Sequence, residues 1–284
     1  MILVKLMGGM GNQMFQYAFA KSLASKCQTS FEMDLSFLKR RDMPEGFVYR
    51  NYDLDIYKVE ERFADELPKK FDLIQEPHYH YSQQTVEDTE KKLKRKGIFK
   101  PKDVLLEGYW QSPKYFKDIE QEIRKNFCFK DSVVDSDLEN ISKMYSDISN
   151  SNSVMINVRR ADYLDTDTHG VMGLEFIQKG IDLLNEKISD PKYFIFSDDV
   201  EWCKENVKLD NMVLVDHTHK GEKFGSYLEL MKSCKHFIIP NSTFAWWAAW
   251  LCENENKIVI APKRWFTDEK INTTDIIPDS WIRI

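Results

Sequence analysis

No stretch of this 284-residue sequence is apolar for long enough to cross a bilayer as a helix, which takes roughly 20 residues. The longest candidate, Thr243 to Cys252, reaches half of that, so a membrane-spanning chain is not expected. Positive charge is not in excess either. With 40 Lys and Arg against 46 Asp and Glu the formal net charge is -6. A general nucleic-acid binder draws its affinity from Lys and Arg neutralising phosphates, so no nucleic-acid partner is expected and any phosphate site has to be local. Cysteine is sparse: Cys27, Cys128, Cys203, Cys234 and Cys252 are odd in number and include no C-x-x-C pair. That pattern excludes a disulfide framework and a cysteine-held metal, and the chain reads as reduced and cytoplasmic. The opening MILVKLMGGMGNQ lacks the basic segment and small-residue cleavage site of a signal peptide and reads as a first strand. Only 11 Gly and 9 Pro accompany 42% hydrophobic and 30% charged residues, which is ordinary globular composition.

What is present divides into two halves. The length exceeds one hydrophobic core, and about 150 residues per domain suggests two, with a boundary near 150 in the polar segment Lys130 to Asn152. Ile2 to Met7 is a strand ending in Gly8 and Gly9; Phe15, Phe19 and Leu23 then recur at helical spacing, and Thr29 to Met33 reads as a second strand. From Arg40 to Lys102, Pro44, Pro68, Pro77 and Pro101 interrupt any long periodic segment, so insertions and short helices are expected. Ser112 and Pro113 are a capping hydroxyl and a first-turn proline for a helix reaching Phe127. Beyond 150 the strands Val154–Val158, Tyr193–Phe196, Met212–Val215, His236–Ile239 and Lys257–Ile260 alternate with helices, the pattern of a parallel sheet covered on both faces. Ligands of such sheets sit at the carboxyl ends of the strands.

Those ends carry the candidate chemistry. Arg159 and Arg160 follow the strand Val154–Val158, with Asp162 next. Guanidinium presents a planar fork that matches phosphate oxygens, and an Arg160–Asp162 surface ion pair is the plain alternative. Ser197, Asp198 and Asp199 end another strand; a carboxylate there suits a base amino group or a ribose, or caps the next helix. Asn241, Ser242 and Thr243 open a helix whose N–H groups could face a phosphate, with capping again the alternative. The loop Gly8 to Gln13 partly imitates a dinucleotide fingerprint with Asp34, but Met14 occupies the third small position, and no Gly-Lys-Ser/Thr follows.

Other features have plainer readings. The pairs His78/His80 and His217/His219 lack a third ligand and read as surface histidines. The aromatic run Phe244, Trp246, Trp247 and Trp250 reads as core packing except at Phe244. The basic run Lys91, Lys92, Lys94, Arg95, Lys96 and Lys100 reads as a solvated face, with peripheral contact on an anionic membrane as the alternative. Asp53-x-Asp55 and Asp165-x-Asp167 match a bare metal motif without a convincing setting.

GGMGNQMFQYAFA (8–20), VRRADY (158–163), FSDD (196–199), LMKSCKH (230–236), PNSTFAWWAAWL (240–251) and IAPKRWF (260–266) resemble the bacterial α-1,2-fucosyltransferases of glycosyltransferase family 11, in that family's order and spacing. The Asn-Ser-Thr-Phe-Ala-Trp-Trp block is specific; the glycine loop alone is not. The resemblance implies an α/β fold of GT-B type, two Rossmann-like domains facing a cleft, with 1–150 on the acceptor side and 151–284 binding the donor. It implies L-fucose transfer from GDP-fucose to the 2-hydroxyl of a terminal galactose on an oligosaccharide or glycolipid, in O-antigen or capsular glycan synthesis, with inversion. A nicotinamide oxidoreductase and a non-catalytic carbohydrate-binding protein are the rival classes.

By the same resemblance Arg159 contacts the leaving β-phosphate with Arg160 beside it, and Asn241, Ser242, Thr243 and Phe244 surround the diphosphate. Asp198 or Asp199 faces guanine or ribose, while Gly9, Met10, Gly11, Asn12 and Gln13 reach the leaving phosphate or the acceptor. Many members have His where Asn157 stands and Gly where Ala161 stands, so Asn157 would meet the nucleotide without titrating. Asp162, Asp165 and Asp167 are the candidate bases. With two arginines meeting the charge on the leaving phosphate, neither a metal nor a cofactor is expected.

Overall fold

The computed structural model describes residues 1–42, 44, 47–77, 80–94, 103–132, 138–160 and 170–284. Ile2, Leu3 and Val4 are apolar and fully buried, which suits a strand covered on both faces, and they form β1 (Ile2–Lys5). The chain turns at Gly8, whose φ of +75° is a left-handed conformation that glycine adopts at little cost, and enters α1 (Met10–Cys27). Gln28 closes that helix in the left-handed region, with the Thr29 N–H on the Ala24 carbonyl at 3.0 Å, and β2 (Phe31–Asp34) returns parallel to β1. This is the strand, loop and helix unit expected from the sequence.

The proline-interrupted segment holds more order than its composition suggests. After α2 (Ser36–Lys39) come β3 (Asp72–Gln75) and α3 (Gln83–Leu93), capped by Ser82 Oγ accepting from Thr85 N at 3.1 Å. β4 (Val104–Glu107) then lies between β1 and β3. Among the described residues the first sheet runs β2-β1-β4-β3, all pairs parallel. β3 escapes sequence reading because only Ile74 of its four residues is buried. Ser112 does cap, accepting from Lys114 N at 3.3 Å, but it starts a 3-10 turn (Pro113–Tyr115) rather than the long helix expected. The cause is Phe116, non-helical at φ -131° and fully buried against Phe15, so α4 spans only Glu120–Asn126.

In the second half α5 (Leu138–Ser149) precedes β5 (Asn152–Val158), α6 (Leu174–Asn185), β6 (Pro191–Ser197), α7 (Val200–Asn206) and β7 (Met212–Val215). α8 (Gly225–Lys232), β8 (His236–Ile238), α9 (Thr243–Leu251), β9 (Val259–Ala261) and β10 (Ile282–Arg283) follow. The sheet order is β10-β9-β8-β5-β6-β7, all parallel. The first strand in sequence is thus central, and the order reverses between β5 and β8, where a doubly wound sheet opens its binding crevice. Val154, Ile156 and Val158 pack with Ile177, Ile181 and Leu184 of α6, and Gly180 lies so close to the sheet that a Cβ there would sit 3.0 Å from Ile238. Trp246 and Trp247 are fully buried, with Trp246 stacked on Trp250, so this aromatic run is packing as expected.

Packing divides the chain into 1–130 with 271–278, and 131–270 with 279–284. The boundary therefore falls at 130/131 and not near 150. The polar segment contains α5, whose Ile141, Met144 and Ile148 recur every three or four residues, and that helix packs on β5 and α8 of the second unit. Among the described residues no helix is long and apolar enough to cross a membrane.

Candidate active site

β5 and β6 lie side by side in register, Val158 opposite Ser197, so the residues after them emerge together. Arg159 Nη1 meets Asp198 Oδ2 at 3.0 Å. Asp198 Oδ1 accepts the backbone N–H of Arg160 at 2.9 Å, and Arg160 Nε reaches Asp199 Oδ2 at 3.4 Å. The Arg160 guanidinium also lies over the Trp202 ring, 3.9 Å from its centroid. Asp199 Oδ1 caps α7 by accepting from Trp202 N at 3.1 Å. These are strand-end ion pairs with half-buried partners, and a guanidinium has five N–H donors, more than one carboxylate can take. Asp199 caps the next helix, as one of the two aspartates was expected to, while both also pair with the arginines, and the described partner of Arg160 is Asp199 rather than Asp162. Asp162, Asp165, Asp167 and Ala161 lie outside the described residues.

The neighbouring motif residues separate by burial. Asn157 Nδ2 donates across the sheet to the Phe196 carbonyl at 3.0 Å. Asn241 is almost wholly buried and donates to the Trp265 carbonyl at 3.0 Å, which holds a loop where a diphosphate contact was expected. Ser242 stands before α9 without using its side chain as a cap, and Thr243 and Phe244 are half-buried in the first turn.

In the first unit the glycine loop is pinned from beneath. Gln13 is fully buried; its Nε2 donates to the carbonyls of Gly8 (2.9 Å) and Asn51 (2.8 Å), and its Oε1 accepts from Asp53 N (2.9 Å). It supports the loop from beneath, a use that the resemblance did not imply for it. Met10 and Gly11 are buried as well, Met10 Sδ receiving the Tyr57 hydroxyl at 3.6 Å. Gly8, Gly9 and Asn12 are the half-buried residues of the motif, and Asn12 Oδ1 accepts from Gln111 Nε2 at 2.9 Å. A Cβ on Gly8 would lie 2.4 Å from Asn12 Nδ2.

Sequence reasoning misses the support behind Gln111. Glu76, after β3, accepts the Tyr109 N–H at 2.7 Å with the N–H groups of Trp110 and Gln111 also directed at it. Burial raises the Glu76 pKa above its ordinary 4.5, and those N–H groups pull it back. The turn it holds contains Trp110, a fully buried non-glycine residue at φ +55°. A left-handed non-glycine residue costs about 1–2 kcal/mol.

The plainer features fall into place. Asp34 accepts from both the N–H (2.8 Å) and the hydroxyl of Ser36 (3.0 Å), so the acidic residue of the dinucleotide reading is used locally. His217 Nε2 is 2.8 Å from the Ser197 carbonyl while His219 Nδ1 is 3.2 Å from Asp216, so the two histidines have separate partners; His78 lies outside the described residues. Asp53 uses its N–H on Gln13. Among the described residues no three His, Cys, Asp or Glu side chains gather as a metal site. Lys91, Lys92 and Lys94 pair with Asp88, Asp72 and Glu90, as on a solvated face; Arg95, Lys96 and Lys100 lie outside the described residues.

In sequence and in fold the chain is similar to known glycosyltransferases. The family model described as glycosyl transferase family 11 matches residues 73–284. An α-1,2-colitosyltransferase of Escherichia coli is 29% identical across 100% of this chain and 98% of its own length. The O-antigen biosynthesis glycosyltransferase WbnK of Escherichia coli is 26% identical over 98% and 99%. Among solved structures, the fucosyltransferase NodZ from Bradyrhizobium superposes with a TM-score of 0.51 at 14% identity, covering 87% of this chain and 91% of that one. The fold is of the GT-B type, with a Rossmann-like sheet in each unit.

Proposed function

Because the chain belongs to glycosyltransferase family 11, we propose that it transfers L-fucose from GDP-β-L-fucose to the 2-hydroxyl of a terminal β-galactoside, with inversion at the fucosyl carbon. The observation that carries the reading is the pair Arg159 and Arg160 at the carboxyl end of central β5, beside the point where the strand order reverses. As the acceptor oxygen attacks, the fucosyl–phosphate bond breaks and negative charge grows on the β-phosphate. Donors already held where that charge appears lower the barrier without reorganising. Asp198 and Asp199 hold the two guanidiniums in place, Arg159 taking the leaving phosphate and Arg160 supporting it. The first turn of α9, with Ser242, Thr243 and Phe244, adds N–H and hydroxyl donors to the diphosphate. Asn12 acts on the leaving phosphate or the acceptor, and the acceptor proton goes to a carboxylate after the arginines, Asp162 first.

The test is a matrix of GDP-fucose, GDP-colitose, GDP-mannose and UDP-galactose against lactose, N-acetyllactosamine and galactosyl-N-acetylgalactosamine, with product linkage read by NMR. The colitosyl donor is included because one full-length relative carries that name. An α-1,2-fucosyl product is expected; hydride chemistry, or glycan binding with no GDP released, sinks the reading. The same reading makes the reaction independent of divalent metal, since the arginines supply the positive charge. Full turnover in excess EDTA is the expected result, and activity lost and then restored by manganese overturns it.

A further inference from the structure

The carboxyl ends of β6 and β7 carry an aromatic step that the arginine pair and the glycine loop do not use. Lys223 (φ 49°, ψ 31°) and Phe224 (φ 61°, ψ 19°) are two successive non-glycine residues in the left-handed region, directly before α8. The strained backbone presents Phe224, a large apolar side chain that is 41% exposed. Its ring meets His217 at 5.5 Å and Tyr227 at 5.9 Å, edge to face in both cases, and Lys220 Nζ lies over one face, 5.9 Å from the centroid, on a flexible side chain that an incoming base can displace. Both supports are fixed to the end of β6. A carbonyl only accepts, so His217 Nε2 donates to the Ser197 carbonyl at 2.8 Å, and the Tyr227 hydroxyl accepts from Ser197 N at 3.0 Å while donating to Val215 O at 2.7 Å.

We propose that Phe224, braced by His217 and Tyr227, is the stacking face for the purine base of the nucleotide donor. The inference rests on the reading of Arg159 and Arg160 as diphosphate ligands. Adjacent strands lie about 4.8 Å apart, so β5 to β7 spans roughly 10 Å, which is the reach of a nucleoside diphosphate from phosphate to base. The carboxylates nearest that path, Asp198 and Asp199, are engaged by the arginines and the α7 cap, so they do not provide the base platform. Left-handed non-glycine residues recur at ligand clamps as well as at tight turns, and unlike the buried Trp110, Phe224 keeps its ring exposed at the strand ends. A purine offers the ring a larger face than a pyrimidine does.

Calorimetric titration of the full chain with GDP and UDP tests this. The wild type binds GDP more tightly than UDP. Phe224→Ala and Phe224→Gly each weaken GDP binding by about tenfold to a hundredfold, the worth of one stacked base, and UDP binding by less than about threefold. Phe224→Tyr keeps the wild-type preference. Because glycine accepts a positive φ, Phe224→Gly melts at a higher temperature than Phe224→Ala while losing the same affinity, which a purely structural ring would not do. GDP affinity unchanged in both truncations, or lost equally in Phe224→Tyr, overturns the proposal; the diphosphate reading then still stands if Arg159→Ala abolishes GDP binding. A wild-type chain that binds no GDP overturns both.

Discussion

Arg159 and Arg160 differ in what surrounds them. Arg160 has a ring beneath it and a cap residue beside it, whereas Arg159 is held through Asp198. Arg159→Ala should therefore lose about a thousandfold in turnover, by analogy with arginines that meet transition-state charge in phosphoryl transfer, with the fold intact by circular dichroism. Near-normal turnover in that variant would remove the leaving-phosphate role. Glu76 gives a different prediction. Its folded pKa is raised by burial, so between the ordinary 4.5 and the raised value the folded chain holds a proton that the unfolded chain has released. Stability from this group is present below 4.5 and falls as pH rises through the raised value. The melting temperature of the wild type, relative to Glu76→Gln, should decline across that window; a flat difference would mean the carboxyl titrates as it does in water. Gln13 and Asn241 show why motif residues are only half legible: their partners lie 38 and 24 residues away, at Asn51 and Trp265, and a linear pattern carries no record of such closures.

At the scale of elements, β5 to β9 and the helices between them are readable because short apolar strands alternate with periodic helices, whereas α5 lies in a segment that reads as a polar separator and β10 has only two residues. The short, half-exposed β3 and the long-range packing that breaks the helix at Phe116 are not readable either. The cross-strand pairing of Arg159 with Asp198 was equally hidden, since it depends on the register of β5 against β6. The glycine loop offers a test of an element as a unit. Gly8→Ala places a Cβ 2.4 Å from Asn12 Nδ2 at a φ of +75°. The conformational part alone costs about 1–2 kcal/mol, and the displaced Asn12 adds a loss of transfer activity larger than the loss of GDP binding. Equal losses in both would place Asn12 outside the chemistry.

At the scale of the whole molecule, the chain is two α/β units whose final residues are shared out between them. Residues 271–278 return to the first unit, where Ile276 and Ile277 are buried, and 279–284 return to the second, where Trp281 packs on Trp246 and β10 pairs with β9. Ending the chain at Lys270 should broaden or abolish the thermal transition, and a fragment of 1–130 alone should bind hydrophobic dye; a sharp transition in either would contradict the packing. Composition foretold two cores but not this return, because 271–284 is short, mixed in polarity and without period. The return also governs when the protein can fold. Domains ordinarily fold from the N-terminus as synthesis proceeds. Here the first unit waits for residues synthesised after nearly all of the second, so its native packing is completed only once residues 271–278 have emerged from the ribosome, and until then its apolar seat for Ile276 and Ile277 is open to chaperones.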